Sequence, residues 1–128
     1  PQVFMALREK VGFPFYSLED STAALKNTLY TVEVREKGRT IGIARIVGDD
    51  RIVFFIKDVV VDPDFKGKGI GKMLMDAMLH YIRQHACEKA YIGLMATPGT
   101  EEFYEKFGFI RRPCSGFGCG MVQYLSKT

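Results

Sequence analysis

The stretch from Asp58 to Leu74, reading DVVVDPDFKGKGIGKML, constrains this chain more than any other. It has the pattern of a buried strand, a sharp turn, a glycine-rich loop and then a helix. Residues 52–56 and 59–61 are β-branched or aromatic, as suits a strand covered on both faces. Pro63 cannot donate to a ladder, and Asp62-Pro63-Asp64 favours a turn, so the strand should end there. From Ile70 the period changes: Ile70, Leu74, Ala77, Met78, Tyr81 and Ile82 recur at helical spacing.

The junction carries the chemistry. A helix start leaves orphan N–H groups that Ser, Thr, Asp or Asn normally caps. None of these stands between Lys66 and Lys72; the loop offers Gly67, Gly69 and Gly71 interleaved with Lys66, Lys68 and Lys72. Glycine lets backbone N–H groups approach a ligand, and the helix dipole adds positive character there. Orphan donors plus three lysines make an anion site suited to a phosphate or pyrophosphate. The competing reading is a solvated Gly/Lys turn. A Walker A loop needs Ser or Thr after Gly-Lys, whereas Met73 follows Gly71-Lys72, and Lys66 stands where its first glycine belongs. The dinucleotide fingerprint needs a glycine where Lys72 or Leu74 stands. Neither nucleotide motif fits.

The stretch resembles the acetyl-CoA signature of the GNAT superfamily of N-acetyltransferases, Gln/Arg-x-x-Gly-x-Gly/Ala. Here it reads Lys66-Gly67-Lys68-Gly69-Ile70-Gly71, with Lys66 keeping the charge of the usual first residue. A second segment, Phe103-Tyr104-Glu105-Lys106-Phe107-Gly108-Phe109, resembles the family's Tyr-Glu-Lys-x-Gly-Phe sequence. Together they extend the resemblance over most of the chain from about Tyr30. Two departures stand out. No first strand is evident before the Gln2 helix, and Ala96-Thr97-Pro98 replaces an Asn that often contacts pantetheine.

The order of elements agrees with that resemblance. Helices are expected over residues 2–10, ended by Gly12, and over residues 20–28, capped by Asp20 or Ser21. An antiparallel meander follows: residues 29–36, a Lys37-Gly38 turn, residues 40–47, then the turn into Ile52. After the long helix, residues 90–95 read as a strand parallel to the organising one, with the helix as crossover. Thr100 should cap a helix bearing Phe103 and Phe107 on one face, stopped by Gly108. Residues 109–112 and 121–125 read as two closing strands. The expectation is an α/β GNAT fold, a central mixed and splayed sheet flanked by helices, as a single domain over 1–128 with its first strand missing or trimmed.

The chain's 128 residues suffice for one core and not for two ordinary domains. Ten Phe and six Tyr indicate a folded protein. The net charge of +3 permits an anionic small ligand without a basic block that would demand nucleic acid. No apolar run reaches membrane-span length and no signal peptide is visible, so a cytoplasmic protein with no membrane partner is expected. Cys87, Cys114 and Cys119 show no Cys-x-x-Cys spacing, which reads as reduced thiols, and no metal site is expected.

What the resemblance implies about function follows from these positions. Acetyl-CoA would be the cofactor. Its pantetheine arm would pair with the backbone of Val59 and Val61 like an added strand, an N–H near Val59 or Val60 would polarise the acyl carbonyl, and Lys66, Gly67, Lys68, Gly69, Ile70, Gly71 and Lys72 would cradle the pyrophosphate. Tyr104 matches the general acid for the departing thiolate and would lie beside the cofactor; a phenol near 10 and a thiol near 8.5 are close enough to share a proton. Its alternative is packing beside Phe103 and Phe107. Asp58, conspicuous in an apolar run, would serve as base or orient the acceptor ammonium; it would equally serve as a structural partner of Lys57 or Arg45. His80 and His85 read as solvated or capping residues on the crossover helix. Phe13, Phe15, Tyr16, Tyr30 and Phe117 would wall the acceptor pocket, and core packing explains the same residues.

The sequence thus reads as an N-acetyltransferase that moves acetyl from acetyl-CoA to a primary amine of a small molecule by direct attack in a ternary complex. Three alternatives stay open: action on protein lysines or N-termini, a non-catalytic acyl-CoA-binding module, and a polyanion binder using the three lysines. Alternating glycines disfavour the last. Exposed C-terminal strands leave room for a homodimer.

Overall fold

A computed structural model describes residues 1–127, which fall into two compact units, Pro1–Leu94 and the part from Met95 onward. The first contains α1 (Gln2–Lys10), α2 (Leu18–Lys26), β1 (Tyr30–Glu36), β2 (Arg39–Gly48), β3 (Val53–Val61), α3 (Ile70–His85) and β4 (Tyr91–Gly93). The sheet order is β1-β2-β3-β4. The first three strands form an antiparallel meander, and β4 lies parallel to β3 after the α3 crossover. The mixed α/β sheet implied by the sequence is the one observed.

Helices cover both faces of this sheet. On one, Phe4 and Leu7 of α1 pack with Ile43 and Val60, joined at the margin by Phe13 and Leu25. On the other, α3 buries Ile70, Leu74, Met75, Met78 and Ile82. Here β2 comes unusually close: a Cβ on Gly42 would stand 2.7 Å from the Ile70 Cγ2 methyl. The α2 cap differs from expectation. Ser17, not Asp20 or Ser21, is the N-cap, its Oγ accepting from the Asp20 N–H at 3.0 Å. A Ser ahead of Leu-Glu-Asp places two carboxylates in the first turn, as the helix dipole favours.

The organising strand is not regular. Ile43 pairs with Val60 and Arg45 with Lys57, so Ala44 alone opposes both Asp58 and Val59. This is a β-bulge, and Asp58 sits in it at φ 55°, a left-handed conformation that costs an L-residue about 1–2 kcal/mol. The extra residue inverts the strand's alternation. Phe54 and Ile56 pair with Gly48 and Ile46 on the α3 face, whereas Val60 pairs with Ile43 on the α1 face.

In the second unit, α4 (Glu101–Glu105) is followed by Gly108 at φ 90°, and the Phe103 and Phe107 rings meet edge-on at 5.3 Å. Thr100 is the N-cap residue of this helix as expected, but its side chain makes no cap bond; its hydroxyl donates to the Thr97 carbonyl at 2.7 Å. The closing strands expected at 109–112 and 121–125 are not formed. One isolated bridge joins Cys114 to Phe117, and Met121, Val122, Tyr124 and Leu125 stay exposed. Apolar content gave those segments strand character, but a strand needs a laddered partner. Likewise β4 stops at Gly93, short of Met95, because only Val53, Phe54 and Phe55 pair with it. Among the described residues no helix is long and apolar enough to cross a membrane.

Candidate active site

Two features of the first unit meet at the end of β3. The first is an open strand edge. β3 pairs with β2 as far as Val61, but with β4 only over Val53–Phe55. The Asp62 N–H donates to the Ile41 carbonyl at 2.8 Å, so by alternation the backbone groups of Val61, and of Val59 before it, turn to the other edge. No strand of the sheet covers them there.

The second is the glycine loop. Gly67 and Gly69 lie at φ 79° and 78°, and a Cβ on either would meet nothing within 4 Å. The loop needs these glycines for their backbone conformation, not for want of space. Gly69 is the N-cap of α3 and supplies no side-chain bond. The first N–H groups of a 16-residue helix are therefore free of a cap and carry the positive end of its dipole. Lys68 lies 5.2 Å over the Phe65 ring, which the Arg39 guanidinium also approaches, at 5.5 Å. Lys72 is paired with Asp76 one turn along the helix at 2.7 Å, while Lys66 is exposed. Uncapped donors, positive-φ glycines and surface ammonium groups suit a pyrophosphate such as that of CoA.

Asp62 anchors the loop's entrance. Its carboxylate accepts from Lys10 Nζ at 2.9 Å, Arg39 Nη2 at 2.8 Å and the Asp64 N–H at 3.0 Å. Lys10 foremost, then the Asp64 N–H, holds this carboxyl below its ordinary value against the opposing effect of burial. A depressed folded value means stabilisation that is full above the unfolded pKa of about 3.9 and is lost as pH falls through the folded value. Asp62→Asn should therefore lower the melting temperature at pH 7, and the gap from the parent should close below about pH 4. Thermal melts across that range test this, and a gap independent of pH would refute it.

Asp58, the carboxylate within the strand, is buried and doubly held. Oδ1 accepts from Arg8 Nη1 of α1, and Oδ2 accepts from Arg45 Nε of β2 at 2.7 Å. Of the partners weighed from sequence, Arg45 is the one engaged. Beside the pair opens a cavity of about 150 Å³ walled by Val3, Phe4, Leu25 and Ile43.

The aromatic residues expected at an acceptor pocket divide among different settings. Phe13 and Tyr16 each lie 5.3 Å from the Arg8 guanidinium, and Phe15 is exposed. Tyr30 lies on the opposite, α3 face, stacked on Tyr81 at 4.5 Å. His85 continues that stack at 4.0 Å, with its Nδ1 2.8 Å from the Tyr81 carbonyl. In the second unit, Phe117 lies under the Arg112 guanidinium at 5.2 Å. Tyr104 is half-buried, its ring edge-on to Phe103 and Phe109 at 5.1 and 6.2 Å. Burial pushes its phenol above the ordinary value.

Comparison with known proteins decides the family. The Acetyltransferase (GNAT) family model matches residues 5–109. The chain belongs to this family. The uncharacterized N-acetyltransferase ycf52 of Pyropia yezoensis is 34% identical over 111 residues, covering 84% of this chain and 63% of that protein. The histone acetyltransferase TAP1 of Glycine max is 35% identical over 119 residues, covering 84% and 51%. The chain thus spans roughly half to under two thirds of these relatives' length. A crystal structure from meticillin-resistant Staphylococcus aureus, described as a probable acetyltransferase of unknown function, superposes with a TM-score of 0.86 at 32% identity, covering 96% and 92%.

Two polar anchors of this GNAT chain escaped the reading of its sequence. Arg8 looked like an ordinary basic residue near a helix end. Its position four after Phe4 and one after Leu7 put it on the apolar face, which was the available signal. Asp62 read only as a turn former, and nothing local marked Lys10 and Arg39 as its partners.

Proposed function

We propose that this GNAT chain is an acetyl-CoA-dependent enzyme that acetylates a primary amine of a small molecule by direct attack in a ternary complex. The observation that carries this reading is the open β3 edge running into an uncapped, glycine-lined helix start. When bound, acetyl-CoA supplies an acyl carbon activated as a thioester. Val59 and Val61 would hold its pantetheine arm through their backbone groups, and residues 66–72 would hold its pyrophosphate. An N–H near Val59 or Val60 would polarise the acyl carbonyl.

The acceptor must attack as a free amine, so its ammonium proton leaves to water or a nearby base. As the new C–N bond forms and the C–S bond breaks, Tyr104 would give its proton to the departing thiolate, and the proton shed by the acylated nitrogen would restore the phenol. A phenol raised by burial stays protonated at neutral pH and so remains able to donate. The three free cysteines accord with a reducing compartment such as the cytoplasm.

Calorimetric titration with acetyl-CoA, CoA and ATP tests the donor. Saturable binding that favours acetyl-CoA over ATP is expected, and its absence from folded protein would sink the reading. Free-thiol release with small amines then tests the acceptor. The Glycine max relative's description as a histone acetyltransferase favours a second acceptor class, protein lysine. Release with lysine peptides but not with small amines would select it.

A further inference from the structure

We infer that Asp58 is a positioning residue which, clamped between Arg8 and Arg45, fixes the β3 bulge and so aims the open strand edge at the acyl donor. This rests on the proposed donor reading and revises the role of Asp58 within it. A base must present a lone pair within reach of the acceptor amine. Both oxygens of Asp58 are engaged by guanidinium donors, and its side chain is 1% exposed. The carboxylate is built into a clamp.

The clamp is formed at the point where the backbone is least regular. Asp58 adopts a left-handed conformation that an Asp tolerates better than a β-branched residue such as Val59 would. Arg45 is the residue at which pairing resumes opposite Lys57. Its Nη1 is itself held by the Thr28 hydroxyl at 3.1 Å. Arg8 reaches in from α1, and its second nitrogen donates to the Pro14 carbonyl at 2.9 Å. The rings of Phe4, Phe13 and Tyr16 surround this guanidinium at 5.4, 5.3 and 5.3 Å. Two cations and one anion make a cluster of net charge +1, in which the carboxylate keeps two guanidinium groups from facing each other unscreened. Val59 and Val61, the residues with backbone turned to the open edge, follow directly. Their aim depends on where the bulge is pinned, and the pin is Asp58.

The arginine clamp also ties residues 12–16 to the bulge, since Arg8 contacts Phe13, Pro14 and Tyr16 as well as Asp58. A base needs only its own carboxylate; a pin needs its partners too. That difference separates the two roles.

The test compares Asp58→Asn, Arg8→Met and Arg8→Lys with the parent. It reads acetyl-CoA affinity by calorimetry, the pH profile of turnover, and amide hydrogen exchange over residues 56–61. The clamp predicts that Asp58→Asn and Arg8→Met each weaken acetyl-CoA binding and slow turnover by about 10- to 100-fold, with partial rescue by Arg8→Lys. The pH midpoint of turnover should stay in place, and exchange over residues 56–61 should quicken. Affinity within twofold of the parent in Asp58→Asn, with turnover abolished, would overturn the clamp and restore Asp58 as base. Parental affinity and exchange in Arg8→Met would also overturn it. If the parent binds no acetyl-CoA, the donor reading fails by itself. The exchange comparison then still decides the clamp, because quickened exchange supports a pinned bulge and unchanged exchange refutes it.

Discussion

Gly69→Val is expected to weaken acetyl-CoA binding by about 100-fold, or roughly 2.7 kcal/mol. Two effects act together. Gly69 stands at φ 78°, where an L-residue is strained by about 1–2 kcal/mol and a β-branched one suffers most. Valine there would either hold the loop in a strained state or let it relax, and relaxation turns the first N–H groups of α3 away from their common target. The two methyl groups would also stand beside donors that have no cap of their own. Because a Cβ at Gly69 meets no neighbour within 4 Å, the fold should survive with a modest loss of melting temperature. Calorimetry and a thermal melt of the same sample separate the two quantities. Affinity within threefold of the parent would show that the loop is a solvated turn.

Tyr104→Phe should lower turnover by about 10²- to 10⁴-fold while acetyl-CoA affinity stays near the parent's. The substitution keeps the ring and its edge-on contacts with Phe103 and Phe109. What it removes is the one proton that the proposed mechanism gives to the thiolate. Burial raises this phenol, so the proton should be present through neutral pH. Activity of the parent should decline only where the phenol ionises, above its ordinary value of about 10. Phenylalanine should erase that decline. Steady-state thiol release against pH, with calorimetric affinity alongside, reads both effects. Undiminished turnover would return Tyr104 to a packing role.

The contrast between the glycine loop and the β3 bulge shows where sequence reading has purchase. The glycine loop was legible because its signal is local: residue type and spacing within seven positions set φ, capping and charge. The crossover helix and the antiparallel meander were legible for the same reason, through hydrophobic period and turn residues. The bulge was not. Nothing in Lys57-Asp58-Val59 announces an extra residue, which exists only relative to Ala44 on the neighbouring strand. The ion pairs of Lys10 with Asp62 and of Arg8 with Asp58 join residues 52 and 50 positions apart, beyond any window of local pattern. Apolar residues at 109–112 and 121–125 carried strand propensity, but propensity does not supply an edge to pair with.

The bulge also gives β3 two reading frames. Upstream of residue 58 the even-numbered side chains belong to the α3 side, and downstream the even-numbered Val60 belongs to the α1 side. A single segment thereby serves two separate hydrophobic layers, each with its own register. Removing one residue between these frames would restore a uniform alternation. A one-residue deletion elsewhere in the strand, with the bulge kept, would instead carry every side chain on one side of the cut to the wrong layer. Point changes in β3 are errors of spelling, whereas a one-residue deletion outside the bulge is an error of phase, and tolerance to the first says little about tolerance to the second.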